Sequence, residues 1–290
     1  MSLRRRDFRF QARDGVWLHC LSWKRDEPDA TASPIVLLHG GGANAHWWDH
    51  LASDLARRGP VHALDFRGHG DSSHPEERRI GAFNTDLEGL VEALGREDVQ
   101  LVGHSMGAAV ALDHASRFPA TRSLVLVDPA RGSARGSRRR ARLALMLRRT
   151  YPSFEEARAR FRFLPESTHP SEALRRSIAG HSVREEPDGR FGYKFDPGWF
   201  ALPSRPLPDP ASVRCPTLLV RGGESGLLST QAAHELLDQL AFGRFVEIGE
   251  AGHHVLLDRP DRLLEALHAF FDTVVPRSES PGFAASDAGS

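Results

Sequence analysis

Short apolar runs alternate with longer mixed runs along most of this chain. The short runs lie at residues 35–38, 61–64, 99–102, 123–127, 217–221 and 245–248. Mostly apolar stretches of four or five residues are the pattern of strands buried on both faces of a sheet. The longer runs lie near 46–58, 85–94, 106–118, 230–240 and 262–274 and read as helices. Residues 8–12 and 16–22 flank Asp14-Gly15 and read as an initial hairpin. This alternation predicts a parallel sheet covered by helices on both faces. Between 129 and 215 the alternation stops. Helix-like runs near 138–150, 154–163 and 171–181 are followed by a tract from 187 to 210 rich in proline and glycine.

Composition narrows the picture. A chain of 290 residues suits one α/β domain with an insertion, and its core is large enough to need no covalent staples. Formal net charge is zero, which excludes an overall pull toward nucleic acid or a membrane surface. Cys20 and Cys215 are far apart and lack metal-ligand spacing, so they read as reduced residues of a cytoplasmic protein. The first eight residues carry positive charge with no apolar stretch behind them, so neither a signal peptide nor a membrane span is expected. The tract from 276 to 290 is rich in Ser, Ala, Gly and Pro and reads as disordered. The expected partner is a small-molecule substrate, with no nucleic acid, no membrane, no cofactor and no metal. Oligomeric state stays open.

Chemistry concentrates where strands end. Gly103-His104-Ser105-Met106-Gly107 follows an apolar strand and precedes a helix. A serine on so tight a turn has unusual backbone angles and needs small neighbours, which Gly103 and Gly107 supply. The turn lifts the hydroxyl above the sheet, beside the N–H groups that open the helix. The alternative is a glycine-rich turn that only packs a helix on the sheet. His39-Gly40-Gly41-Gly42 follows the 35–38 strand, and glycines there let backbone N–H groups approach a substrate oxygen. A flexible loop before Trp47 and Trp48 is the plainer reading. His253, on a loop after the 245–248 strand, is a candidate general base for the serine. Asp65, Arg67 and His69 follow the 61–64 strand and read as residues that hydrogen-bond their own loop.

Taken together, residues 8–275 resemble the α/β-hydrolase superfamily. His39-Gly40-Gly41 resembles its oxyanion-hole loop, Gly103 to Gly107 its nucleophile elbow, and Gly252-His253 its catalytic histidine loop. The resemblance implies an α/β-hydrolase fold, with a mostly parallel eight-stranded sheet flanked by helices and a helical cap inserted after strand six. Residues 1–128 and 213–275 would be the core and 129–212 the cap. Ser105 would be the nucleophile and His253 the base. The backbone N–H groups of Gly41 and Met106 would form the oxyanion hole. The family's acid most often falls three positions past the first glycine after strand seven, and here that position holds Ser225. Two candidates remain. Asp128 ends strand six, where some members carry the acid. Glu224 is the alternative acid, one position early and so aimed to the opposite side of extended chain.

The insertion adds two features. Residues 131–149 hold eight arginines and no acid. The expected arrangement turns Leu143, Leu145, Met146 and Leu147 inward and leaves the arginines solvated near Glu155 and Glu156. A nucleic-acid or anionic-lipid surface, or a site for a carboxylate or phosphopantetheine, are the other readings. The aromatic residues Phe161, Phe163, Phe191, Tyr193, Phe195, Trp199 and Phe200 are expected mainly to hold the cap together. Some of them, with Trp47 or Trp48, would line an acyl pocket. The expected function is a serine hydrolase, carboxylesterase- or thioesterase-like, cleaving an ester or related acyl bond of a small, largely apolar substrate through an acyl-enzyme. A lyase, cyclase or acyltransferase on the same fold is the first alternative, and a ligand receptor using the pocket is the second.

Overall fold

The computed structural model describes residues 3–26, 31–131, 135–166, 168–203, 206 and 208–274. The tract from 276 onward, expected to be disordered, lies outside them. The chain opens on strands β1 (Leu3–Gln11) and β2 (Trp17–Arg25), then β3 (Ile35–Leu38) and β4 (Val61–Leu64). The first two are longer than the predicted hairpin, because antiparallel pairing runs on to Leu3 opposite Arg25. Between β3 and β4 lie a 3₁₀ turn at Ala45–Trp48 and helix α1 (Asp49–Leu55). Helix α2 (Ala82–Leu94), strand β5 (Gln100–His104), helix α3 (Met106–Arg117) and strand β6 (Ser123–Val127) follow.

An insertion then separates β6 from the rest of the sheet. It holds α4 (Arg135–Leu145), β7 (Thr150–Tyr151), α5 (Phe154–Arg160), α6 (Glu172–His181), β8 (Val183–Glu185) and β9 (Phe191–Tyr193). Short 3₁₀ turns at Pro197–Ala201 and Pro210–Ser212 lead back to the sheet. Helices α5 and α6 start on serine caps, Ser153 and Ser171, whose side chains accept from Glu156 N and Leu174 N. The small antiparallel sheet β7-β9-β8 was not expected of a helical insertion. Strands of two or three residues are too short to leave an alternation in the sequence.

Strand β10 (Thr217–Gly222), helix α7 (Thr230–Leu237), strand β11 (Gly243–Ile248) and helices α8 (Val255–Asp258) and α9 (Pro260–Phe271) complete the chain. The eight strands run in the order β1-β2-β4-β3-β5-β6-β10-β11. Pairing is antiparallel from β1 to β2 and from β2 to β4, and parallel beyond. Alternate residues of one strand feed opposite faces. Ile35 and Leu37 join a core with Trp48, Leu51, Leu263 and Leu267 of the α1 and α9 side. Val36 and Leu38 join another with Leu87, Leu90, Ala111 and Leu236 of the α2, α3 and α7 side. Strand order reverses between β3 and β5, and such a switch opens a crevice at the strands' C-terminal ends. None of the described helices is long and apolar enough to cross a membrane.

The arginine-rich segment departs from expectation. Leu143, Met146 and Leu147 are exposed. Leu145 alone points inward, close enough that a Cβ at Gly42 would stand 2.7 Å from its side chain. Leu143 and Leu145 lie two residues apart in the last turn of α4 and so face different ways, while Met146 and Leu147 follow the helix's last residue. Among the described residues no arginine of this run meets Glu155 or Glu156: Glu155 pairs with Arg158, and Arg148 pairs with Glu186.

Two glycines test how tightly the elbow is built. A Cβ on Gly107 would stand 2.4 Å from the Leu38 carbonyl oxygen, and one on Gly103 would stand 2.4 Å from the Gly107 oxygen. Neither neighbour can move without distorting β3 or α3. Gly180, within α6, meets nothing within 4 Å. Gly107→Ala is therefore expected to lower stability by about 3 kcal/mol through overpacking. Gly180→Ala should raise it by about 0.5–1 kcal/mol through helix propensity. Denaturant unfolding of the two variants checks the contrast, and equal effects would contradict it.

Candidate active site

Ser105 sits between β5 and α3 with φ 52° and ψ −111°. Its N–H donates to the Val127 carbonyl at 3.0 Å, which ties the turn to the end of β6. The hydroxyl is half-buried and faces a cavity. His253 lies on the loop between β11 and α8. That loop is held by Gly252 N–H, which donates to an Asp258 carboxylate oxygen at 2.9 Å. Its fit against β10 is close: a Cβ on Gly222 would lie 2.1 Å from the Gly252 oxygen.

The three side chains form one line. His253 Nε2 is 2.9 Å from Ser105 Oγ, and His253 Nδ1 is 2.7 Å from Asp128 Oδ1. Asp128 is fully buried and His253 is 2% exposed. Asp128 follows β6 with φ 44°, a left-handed turn that swings its carboxylate toward β10 and the histidine loop. Glu224, the other candidate acid, is exposed and no side-chain contact joins it to His253 among the described residues.

Sequence reasoning missed what Ser225 does. The sequence marked it as the place where the usual acid is absent and as the end of an Arg221-Gly222-x-x-Ser225 pattern, which resembles members with the acid after strand six, but gave it no contact. Its hydroxyl donates to Asp128 Oδ1 at 2.6 Å, the oxygen that also meets His253. The same Oγ accepts from Leu227 N–H and Leu228 N–H, both at 3.2 Å, which leaves its proton for the carboxylate. Gly222 N–H donates to Asp128 Oδ2 at 2.9 Å. A buried carboxylate with three donors on its two oxygens is held in one orientation.

Two further histidines flank the line. His104 Nε2–H donates to the His253 carbonyl at 3.0 Å, and His254 Nδ1 meets Thr168 Oγ1. Burial, followed by the nearness of His253, holds both imidazoles well below the usual histidine range. They stay neutral and add no repulsion when His253 takes a proton.

The N–H groups of Gly41 and Met106 are the candidate oxyanion donors, and both residues line the cavity with Ser105. Met106 is the first residue of α3, where an N–H has no intrahelical acceptor and the helix dipole favours negative charge. Gly41 must lack a side chain, because a Cβ there would stand 2.7 Å from the Phe200 ring. Asp65, Arg67 and His69 stay out of this line. Asp65 accepts from His19 Nδ1–H at 2.7 Å and Ala45 N–H at 2.6 Å, and Arg67 pairs with Asp86 and Asp14. His69 is pushed down to about 3 by burial and is no base at neutral pH.

The cavity is about 650 Å³. The insertion contributes Leu145, Leu164, Trp199 and Phe200 to its wall, and the core contributes Trp47 and Phe83. Phe161, Phe163 and Tyr193 instead pack edge-on among themselves, and Trp48 is fully buried in the core. Among the described residues, two donor clusters lie outside the histidines at Ser105: His19, Asp65 and Asp71, where Asp65 already accepts from His19 and Ala45, and His46, Asp49 and His181, each with ligand atoms within 4.8 Å of one another. The two imidazoles stack 3.7 Å apart at 10°, so their in-plane lone pairs run parallel and do not converge on one ion.

The chain matches the model of the alpha/beta hydrolase family over residues 35–266. It is 31% identical over 257 residues to esterase Rv0045c of Mycobacterium tuberculosis, covering 84% of each chain. It is 29% identical over 265 residues to the sn-1-specific diacylglycerol lipase ABHD11 of Mus musculus, covering 86% of this chain and 84% of that one. Among solved structures, E-2-(acetamidomethylene)succinate hydrolase superposes with a TM-score of 0.79 at 23% identity, over 93% of this chain and all of that one. The crystal structure of esterase Rv0045c superposes with a TM-score of 0.71 at 26% identity, over 93% of this chain and 92% of that one.

Proposed function

The chain belongs to the alpha/beta hydrolase family as an esterase- or lipase-type hydrolase, and on that premise we propose that Ser105 is its nucleophile toward the carbonyl of a small, largely apolar carboxylic ester or thioester. The observation that carries this reading is the continuous Asp128–His253–Ser105 hydrogen-bonded line, with distances of 2.7 and 2.9 Å, opening on a cavity walled mostly by apolar side chains. His253 Nε2 takes the Ser105 proton as Oγ attacks. Asp128 keeps the other proton on Nδ1 and stabilises the imidazolium. The N–H groups of Gly41 and Met106 receive the charge on the carbonyl oxygen, each such donor worth about 3–4 kcal/mol by analogy with other enzymes. His253 returns the proton to the leaving group, and a water then follows the same route to release the acid. Residues 129–212 act as the cap: they close over Ser105, exclude water and strengthen the oxyanion contacts in the drier site.

Acyl selection then follows from burial. Each methylene that enters the cavity adds about 0.8 kcal/mol until the space is full. With p-nitrophenyl esters from acetate to decanoate, kcat/KM is expected to rise about fourfold per methylene, then fall sharply. Trp199→Ala and Phe200→Ala should move the fall to longer chains. Oxygen from labelled water should appear in the released acid. A flat profile would show that the insertion does not set specificity. Failure of every ester, with Ser105 still acylated by a fluorophosphonate, would move the assignment to lyase or cyclase chemistry.

A further inference from the structure

The wall of the Ser105 cavity is not apolar throughout. Arg79, Arg131, Arg139 and Arg142 also line it, against a single carboxylate, Asp113. Asp113 is occupied by Arg117 at 2.8 Å. Two of the four cavity arginines have evident structural partners. Arg142 donates to the carbonyl oxygens of Phe200, Ala201 and Leu202, at 2.6, 3.2 and 2.7 Å, and so fastens the 3₁₀ turn that carries Phe200. Arg79 pairs with Glu77 at 3.1 Å.

Arg131 and Arg139 differ. Among the described residues neither has a carboxylate partner, and both border the space that holds the nucleophile. Arg131 is half-buried three residues past Asp128, where the insertion leaves the sheet. Arg139 lies on α4, the helix whose Leu145 reaches Gly42. Arg131 is half-buried beside an apolar wall, where a charge is screened less than in water, while Arg139 is exposed at the cavity rim, where it attracts an anion toward the opening. The planar guanidinium fork also matches the paired oxygens of a carboxylate or a phosphate.

We propose that the substrate carries an anionic group, a carboxylate or a phosphate, which Arg131 and Arg139 hold while the ester lies at Ser105. This rests on the hydrolase reading above and narrows its substrate class to esters that are apolar near the scissile bond and charged at one end. The run of arginines without an acid between 131 and 149 thereby gains a role at the site, through Arg131 and Arg139, while Arg142 fastens the turn that carries Phe200.

The test compares charged and neutral esters of matched length. One series places the charge on the acyl side, as p-nitrophenyl hemiesters of dicarboxylic acids against methyl-terminated p-nitrophenyl esters. The other places it on the alcohol side, as carboxyphenyl or phosphophenyl butyrates against phenyl butyrate. In one series the full-length enzyme should favour the anionic ester by at least about tenfold in kcat/KM at low salt. The preference should shrink as salt rises. The carboxylate and phosphate arms identify which anion fits. Arg131→Gln and Arg139→Gln should each lower the anionic-to-neutral ratio, and Arg131→Lys should retain part of it. A preference for the neutral ester in both series would overturn the proposal, as would an anionic preference that the Gln variants leave intact. Calorimetric titration with dicarboxylates, alkyl phosphates and matched monocarboxylates decides the matter without turnover. Tighter binding of the terminal anion, lost in the Gln variants, upholds the subsite even where no ester is cleaved, while that second failure removes the esterase reading alone. Equal binding of charged and uncharged ends overturns it.

Discussion

Replacing Ser105 with alanine is expected to leave a folded protein with almost no ester turnover. By analogy with other serine enzymes the loss is on the order of a millionfold in kcat. The residue's position explains why so much is lost for so little structural cost. Its hydroxyl is the atom that His253 Nε2 meets at 2.9 Å, and the bond to the substrate carbonyl must form there. Its backbone angles, φ 52° and ψ −111°, strain serine and alanine alike, so the turn itself is unchanged. Thermal unfolding of the variant should fall within about 1 kcal/mol of the parent, as half-exposed substitutions without new burial do. A small residual rate over water should survive, because the N–H groups of Gly41 and Met106 and the cavity remain. A fluorophosphonate should add one adduct to the parent, on the peptide that carries Ser105, and none to the variant. Labelling of Ser105→Ala at the parental rate would remove the nucleophile from this assignment.

Local chemistry was legible in the sequence wherever a strand runs straight into a turn. Ser105, Gly41 and His253 each follow an apolar run within a few residues, so the strand's direction already aims them at one edge of the sheet. The acid was harder. Asp128 and Glu224 are both carboxylates just past strands, and choosing between them needs the pairing of β6 with β10 and the sign of one φ angle. Parallel pairing sets Val127 opposite Val220, and the positive φ of Asp128 does the rest. The Arg221-Gly222-x-x-Ser225 pattern pointed to Asp128 by resemblance, but the contact itself was out of reach: the partner is 97 residues away, and nothing local marks a serine as a donor to a buried carboxylate. The insertion was read least well. Leu143 and Leu147 look like core residues in a list of apolar positions, yet α4 presents only Leu145 to the glycine loop. An amphipathic pattern says that one face is buried, but a helix this rich in arginine does not carry enough apolar residues to say which.

The acid makes the sharpest separation between positioning and mere proximity. Asp128→Asn changes two atoms' chemistry and no volume, and turnover is expected to fall by about 10⁴. A carboxylate can only accept, so it holds the proton on His253 Nδ1 and leaves Nε2 free to take one from Ser105. A carboxamide that keeps its oxygen on the Gly222 N–H places its N–H₂ where Oδ1 stood, facing Nδ1 and the Ser225 oxygen. The imidazole then carries its proton on Nε2, facing Ser105, and cannot act as base. The downfield Nδ1–H proton resonance of His253 should disappear with the activity, while unfolding stability changes little. Ser225→Ala removes one of the three donors to Asp128 but keeps the carboxylate and the tautomer. Its cost should be nearer tenfold, the worth of one hydrogen bond to a charged group. In the Asp128→Asn background Ser225→Ala should cost almost nothing more, because both residues act through the same imidazole. Losses that simply multiply would mean that Ser225 serves the site by some route other than Asp128. An Asp128→Asn enzyme within tenfold of the parent would mean that His253 finds its orientation elsewhere, and Glu224 would then be the carboxylate to test.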